Sequence, residues 1–122
     1  MSHTTREIPR EAWRPYFNEF SKQIGTVEAT VEVVGADVGA QVEAEHLVLT
    51  GISYDDRDDV VVIGLEVPGD PPEDLERMVE HAARIMIATG DPPPLEMTID
   101  IQDAERRQTI IRLERPPALP AL

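Results

Sequence analysis

The spacing of hydrophobic residues changes along this chain, from a helical period near the start to alternation afterwards. The large apolar residues of the first segment follow at intervals of four, three and four: Trp13, Phe17, Phe20 and Ile24. Such spacing puts them on one face of a helix, and Gly25 stands where a C-terminal cap is expected. Pro15 is best tolerated in a first helical turn, so the predicted helix begins near Arg14, with Trp13 just outside it.

Strand-like patterns occupy most of the remaining chain. Valine and alanine alternate with threonine and glutamate from residue 26 to residue 34, which predicts a half-buried strand. The alternation slips between Ala44 and Leu47 in the next apolar segment, and such a slip predicts a β-bulge. The further predicted strands cover residues 41–50, 60–67, 95–102 and 106–114, the last two as a hairpin.

Residues 70–90 fit two structures. Asp70, Pro71 and Glu73 have the order of a helix cap, a first-turn proline and a capping-box acid, and the apolar residues that follow keep helical spacing. Alternate residues from Val79 to Ile87 also suit a strand. The pattern of this segment alone leaves helix and strand open.

These elements predict an α+β protein that is mainly β. The N-terminal helix packs on an antiparallel sheet, or on a small partly open barrel, of five to seven strands. We expect Phe17 and Phe20 to be buried, because the strands carry few bulky side chains. The length of 122 residues indicates a single domain over residues 1–122, with residues 1–8 and 115–122 flexible.

Composition excludes several classes of function. The chain has no cysteine, and its 24 acidic residues against 11 basic ones give a net charge of −13. A field of this sign repels phosphate, so neither nucleic acid nor an anionic membrane surface is expected as a partner. The polar start and the lack of a long apolar run indicate a cytoplasmic protein.

The segment S-Y-D-D-R-D-D-V-V-V, residues 53–62, is the first candidate site. Four aspartates could bind a cation, but a calcium loop needs a glycine at its sharp turn and a glutamate near its end. Here Val60 begins a strand where further ligands would be required. We therefore interpret residues 55–59 as a solvated hairpin turn, with no metal site predicted.

Two histidines, each preceded by a glutamate, form the second candidate. His46 follows Glu45 and His81 follows Glu80. Adjacent residues of a strand point to opposite faces, so neither pair chelates a metal by itself. A small enzyme or a metal-binding protein would need His46 and His81 to share one cleft with nearby carboxylates.

Several segments resemble a family of small bacterial proteins of unknown function. They are R-E-I-P-R-E-A-W-R-P-Y-F-N-E-F-S near the start, then V-E-V-V-G, V-G-A-Q-V-E-A, L-V-L-T-G-I-S and the closing L-E-M-T-I-D-I-Q-D. The likeness covers most of residues 6–113 and assigns no catalytic residue. It also implies that residues 75–88 form two strands, although Ala82-Ala83 and the cap at Asp70 depart from the pattern of relatives.

The functional prediction rests on what the sequence lacks. It has no phosphate-binding loop, serine elbow or cysteine nucleophile, so no catalytic, cofactor-binding or metal-ligating residue is assigned. Small β-rich domains present edges to which partner segments dock. We expect a small acidic, non-catalytic interaction module that uses no cofactor and binds an unknown protein partner or a second copy of itself. The alternative is the enzyme or metal protein based on His46 and His81.

Overall fold

The computed structural model describes residues 3–37, 39–90 and 97–114, without the side chains of residues 3 and 90. The elements, in chain order, are β1 (His3–Ile8), α1 (Arg10–Gln23), β2 (Glu28–Gly35), β3 (Gly39–Asp55), β4 (Val60–Val67), β5 (Glu73–Glu80), β6 (Ala82–Gly90), β7 (Met97–Asp103) and β8 (Gln108–Glu114). In this described part of the chain no helix is long and apolar enough to span a bilayer.

The strands form one antiparallel sheet in the order β1-β6-β7-β8-β2-β3-β4-β5. Only His81 separates β5 from β6, although these strands are eighth and second in that order. In a flat sheet the two positions would lie about 29 Å apart, at about 4.8 Å per strand. A single residue spans far less, so the sheet must curl until its two ends approach each other.

The mainly β prediction is confirmed, but the strand count is not. The described residues contain eight strands rather than five to seven. Residues 73–90 form two of these strands, β5 and β6, as the family resemblance implied. Residues 3–8, expected to be flexible, form β1, which pairs with β6 from His3 to Ile8. Its residues 4–7 are exposed, so β1 has no apolar alternation that the sequence could reveal.

Helix α1 begins earlier than predicted. Its first residue is Arg10, so the predicted start near Arg14 is wrong, and Pro15 lies inside the helix. Trp13 also lies within α1, where it is buried and its indole Nε1 donates a 2.8 Å hydrogen bond to the carbonyl of Ile8. The burial of Trp13 and its hydrogen bond stabilise this part of the helix, and they offset the loss of the backbone N–H that Pro15 lacks. The C-terminal end is as predicted, with Gly25 at a φ of 62° just after Ile24 caps the helix.

The helix lies against the part of β3 that extends beyond its pairing with β2. The Ser21 hydroxyl donates to the carbonyl of Ile52 at 2.7 Å and accepts from the Ile52 N–H at 2.9 Å. One side chain therefore satisfies both backbone groups that a neighbouring strand would otherwise bind. A Cβ on Gly51 would lie 3.3 Å from Ser21 Oγ, so glycine allows this close approach.

The core lies on the inner face of the curled sheet. Trp13 and Phe17 pack there with the alternating residues of the central strands, and Phe17 is fully buried, whereas Phe20 is only partly buried. The expectation that both phenylalanines are buried is therefore confirmed for Phe17 alone. Strand β4 follows its prediction closely, because Val61, Ile63 and Leu65 are all buried.

The predicted bulge is present in β3. The register with β2 shifts between the pairs Ala29–Leu47, Val31–Ala44 and Glu32–Val42. His46 lies within this irregularity with a φ of 52°, and its N–H donates to Thr30 Oγ1 at 3.2 Å. The slip in alternation was therefore a correct signal of the bulge.

Candidate functional site

Three segments that are distant in sequence meet at Asp59. It ends the β3–β4 turn, His81 joins β5 to β6, and Arg10 begins α1. Asp59 and His81 both have left-handed backbones, with φ of 53° and 56°. The His81 N–H donates to the Asp59 carbonyl at 2.8 Å, while the His81 carbonyl accepts from the N–H of Ala104 at 3.0 Å. The backbone of His81 thus links the turn at Asp59 to the β7–β8 turn through these two hydrogen bonds.

Both oxygens of the Asp59 carboxylate are engaged. Oδ1 accepts from the Tyr54 hydroxyl at 2.7 Å and from Arg10 Nη1 at 3.3 Å. Oδ2 lies 3.3 Å from Nδ1 of His81. The carboxylate therefore links the helix start, the β3–β4 hairpin and the β5–β6 junction.

Arg10 contacts the aromatic residues of this junction. Its guanidinium lies 4.4 Å from the centre of the Trp13 ring, and its Nη2 donates to the Ala82 carbonyl at 2.7 Å. Trp13 in turn meets Tyr54 edge to face, with ring centres 5.1 Å apart. While it lies over Trp13, the guanidinium donates to three acceptors, the Tyr54 hydroxyl, Asp59 and the Ala82 carbonyl, which suits arginine and not lysine.

These contacts shift the pKa values of two groups. The Tyr54 hydroxyl, together with His81 and Arg10, lowers the pKa of Asp59 against the opposing effect of burial. Burial raises the pKa of Tyr54, and its hydrogen bond to the Asp59 carboxylate raises it further. Asp59 is therefore held as the anion and Tyr54 as the neutral donor at neutral pH. A carboxylate already bound by three donors is suited to fixing geometry, and poorly suited to accepting a substrate proton.

His46 lies in a different environment from His81. Its ring nitrogens are 3.9 Å from carboxylate oxygens of Glu45 and of Glu114, and its side chain is 55% exposed. His81 is 68% exposed and contacts Asp59. The two histidines share no partner within the described residues, so the geometry gives no support to an enzyme or metal site built on both.

The other aspartates form the predicted hairpin turn. Asp55 Oδ1 accepts from the backbone N–H groups of Arg57 and Asp58, at 3.0 and 3.3 Å. Asp56 lies 3.6 Å from Arg14 of the helix. Over residues 3–37, 39–90 and 97–114, no group of three or more acidic, histidine or cysteine side chains is arranged to hold a metal ion. The turn's charge is offset in part by helix arginines, a pairing that sequence spacing does not reveal.

A free sheet edge lies next to this junction. Strand β5 pairs with β4 from Val60–Glu80 to Val67–Glu73, and it is the last strand in the sheet order. In the part of the chain that the structure describes, no backbone group forms a hydrogen bond with the side of β5 that faces away from β4. The backbone donors and acceptors on that side are available to another strand.

A groove follows the last residues of this edge, and we call it the β5 groove. It encloses about 430 Å³ and is lined by Val33, Glu43, residues 78–81, residues 103–105, Arg107 and Thr109. Met78, one of its walls, is 61% exposed, which is unusual for a large apolar side chain. Sequence pattern does not indicate this groove, because its walls come from five strands, from His81 and from the β7–β8 turn.

Two arginines at the groove are already paired. Arg77 on the inner face of β5 lies 3.5 Å from Glu43 Oε2 and donates to the Glu43 carbonyl at 3.4 Å. Arg107 pairs with Asp37. The Nε of Arg77 is buried and has no hydrogen-bond partner within the described residues. Among these residues neither arginine forms an ion pair with the acids on the outer face of β5.

The fold and this junction define a small, mainly β protein with one helix packed on a curled open sheet. The chain belongs to DUF5335, a family of unknown function, which matches residues 4–122. An uncharacterised protein of Aquifex aeolicus (strain VF5) is 35% identical over 116 residues, covering 95% of this chain and 96% of the relative. No solved structure matches the chain. The resemblance to a family of unknown function is thereby confirmed.

Proposed function

We propose that this protein is a non-catalytic interaction module that binds an extended segment of a partner protein as an added strand on β5. The observation that carries the proposal is the free edge of β5, which has no backbone partner within the described residues. Main-chain hydrogen bonds supply affinity in this mode of recognition, and side-chain pockets supply specificity. The β5 groove provides such a pocket beside the edge.

The Asp59 junction supports this role by holding the end of β5. His81 directly follows β5, and its backbone is fixed on one side by Asp59 and on the other by Ala104. A docking edge held in one conformation loses less entropy when a partner binds. The junction therefore serves to preorganise the edge.

The partner on β5 is a different chain and not a second copy. Three of the four outward residues of β5 are acidic, namely Asp74, Glu76 and Glu80, with Met78 as the fourth. Pairing β5 with its own copy would bring acids beside acids, and like charges across a strand pair are destabilising. Self-association, the other partner class expected from the sequence, would require a different surface.

The test combines peptide selection with proline substitution. Peptides that bind the protein are selected from a random library of 12-residue sequences. The affinity of each enriched peptide is then measured for the parent and for single proline variants at residues 74–78. Proline is tolerated on an edge strand only where its missing N–H faces away from the neighbouring strand. We expect the variants that keep the parent's melting temperature to lose peptide binding.

A tolerated proline in β1, the opposite edge strand, is the matched control and is expected to bind like the parent. The proposal is overturned if no peptide is enriched, or if the enriched peptides bind the tolerated β5 proline variants as tightly as they bind the parent.

A further inference from the structure

We infer that the β5 edge selects an extended segment in which arginine or lysine alternates with small apolar residues. This inference rests on the proposed function and adds the chemical class of the partner. It follows from the different chemistry of the two faces of β5. The two faces would contact alternate side chains of an added strand, because successive residues of a strand point to opposite faces.

The outer face of β5 favours a partner segment with positively charged side chains. Asp74, Glu76 and Glu80 are all exposed and make no ion pair within the described part of the chain. Diagonal and directly opposite neighbours on one face of a strand pair are close enough for long side chains to interact. Arginine or lysine at every second position of the partner would therefore meet these three acids.

The inner face of β5 favours small apolar side chains in the partner segment. Val79 and Thr109 are buried and Val33 is half-buried, and all three line the β5 groove. Beside them Arg77 and Glu43 form an ion pair. A lysine or arginine on this face would lose hydration next to the Arg77 charge, whereas valine or alanine would bury apolar surface.

The far wall of the groove reinforces the preference for a basic segment. Glu105 is exposed in the β7–β8 turn, and among the described residues the side chain of Asp103 accepts hydrogen bonds only from backbone N–H groups of that turn. Arg107, the basic residue of this wall, is paired with Asp37. Both sides of the groove thus present negative charge, which speeds the association of basic partners and repels acidic ones.

The test uses three seven-residue peptides, acetylated and amidated, in which valine alternates with lysine, threonine or glutamate. Their binding is measured by isothermal titration at low and at physiological salt. We expect the lysine peptide to bind about tenfold more tightly than the threonine peptide, the effect of a few exposed ion pairs. The glutamate peptide is expected to bind most weakly, and the preference for lysine should shrink as salt rises.

The double variant Glu76→Lys/Glu80→Lys should reverse the order, so that the glutamate peptide binds best. The matched control, Glu11→Lys/Glu45→Lys, changes net charge equally on exposed residues that do not line the groove and should keep the parent's order. If the control variant reverses the order as well, the preference reflects overall charge and the inference is overturned.

Two further outcomes separate this inference from the proposed function. Equal binding of lysine and threonine peptides, abolished by the tolerated β5 proline variants, overturns the basic preference and leaves strand addition standing. Failure of all three peptides together with failure of the random library overturns both.

Discussion

The hydroxyl of Tyr54 donates a 2.7 Å hydrogen bond to Oδ1 of Asp59, five residues further along the chain. Tyr54 is near the end of β3 and only 8% exposed, while Asp59 ends the turn that leads into β4. The bond closes the β3–β4 hairpin and holds the carboxylate where Arg10 and His81 reach it. Removing it should loosen the hairpin, the helix start and the β5–β6 junction together.

Tyr54→Phe should lower the free energy of unfolding by about 1 to 3 kcal/mol, because Asp59 keeps its charge but loses its closest donor. Urea unfolding at pH 7 measures the effect. Tyr16→Phe is the matched control, since no hydrogen bond of the Tyr16 hydroxyl occurs within the described residues, and we expect it to unfold like the parent. Equal stabilities for the two variants would contradict a structural role for the Tyr54 hydroxyl.

Asp59 should make stability sensitive to acid. Its pKa is lowered in the folded protein, so it contributes stability above its unfolded pKa of about 4 and loses it as the pH falls through the folded pKa. Asp59→Asn should therefore be less stable than the parent at pH 7, with a difference that shrinks below about pH 4. Urea unfolding of both proteins from pH 7 to pH 2.5 measures this difference.

Asp58→Asn is the control for that series. Its carboxylate is exposed and makes no hydrogen bond or ion pair within the described residues, so its unfolding should track the parent throughout. A deficit of Asp59→Asn that stays constant down to pH 2.5 would show that the loss is steric and not electrostatic.

Asp100 should have the opposite effect on stability from Asp59, because its charged form destabilises the fold. Burial raises its pKa, the Arg84 charge opposes this less strongly, and its Oδ1 is buried without a hydrogen-bond partner within the described residues. A carboxyl with a raised folded pKa destabilises the fold as the pH rises through that pKa. Asp100→Asn should therefore melt at a higher temperature than the parent at pH 7, and the gain should disappear below about pH 4.

Calorimetric melting at pH 7 and at pH 3.5 measures this gain, with Asp74→Asn as the control because Asp74 is exposed on the outer face of β5. A lower melting temperature for Asp100→Asn at pH 7 would mean that the carboxylate makes a contact that outweighs its burial.

The two helix phenylalanines should differ in their contribution to stability. Phe17 is fully buried and Phe20 only partly, so Phe17→Ala should cost about 3 to 5 kcal/mol and Phe20→Ala clearly less. Urea unfolding at pH 7 compares them. Equal losses would mean that the two rings are buried to the same extent in solution.

The alternation of apolar and polar residues was sufficient to predict a strand where one face of that strand is buried. Val61, Ile63 and Leu65 alternate without a break, and the bounds of β4 were predicted to the residue. Residues 70–90 were ambiguous because the segment's apolar side chains fit both periods, and residues 73–80 lie within it. Pairing with β4 decided for strand, and that pairing joins residues up to 20 positions apart, from Val60 to Glu80. Local propensity is overridden by tertiary context in such segments.

The Asp59 junction and the free edge of β5 could not be predicted from the sequence pattern. Asp59 and His81 were both singled out as candidates, but one as a turn residue and the other as a partner for His46. Their contact spans 22 positions, and that of Arg10 with Asp59 spans 49. Arg10 gave no signal, because it lies before the predicted start of the helix and a single arginine has no distinctive spacing. An edge is defined by the strand order of the whole sheet, which no local window contains.

Amide hydrogen exchange by NMR tests strand addition at β5 most directly. The protein is measured alone and with the tightest peptide selected from the random library. The account predicts that alternate amides within residues 73–80, those facing away from β4, exchange rapidly in the free protein and become protected when the peptide binds. Protection that appears instead around His46, or at residues 54–59 with β5 unchanged, would contradict it.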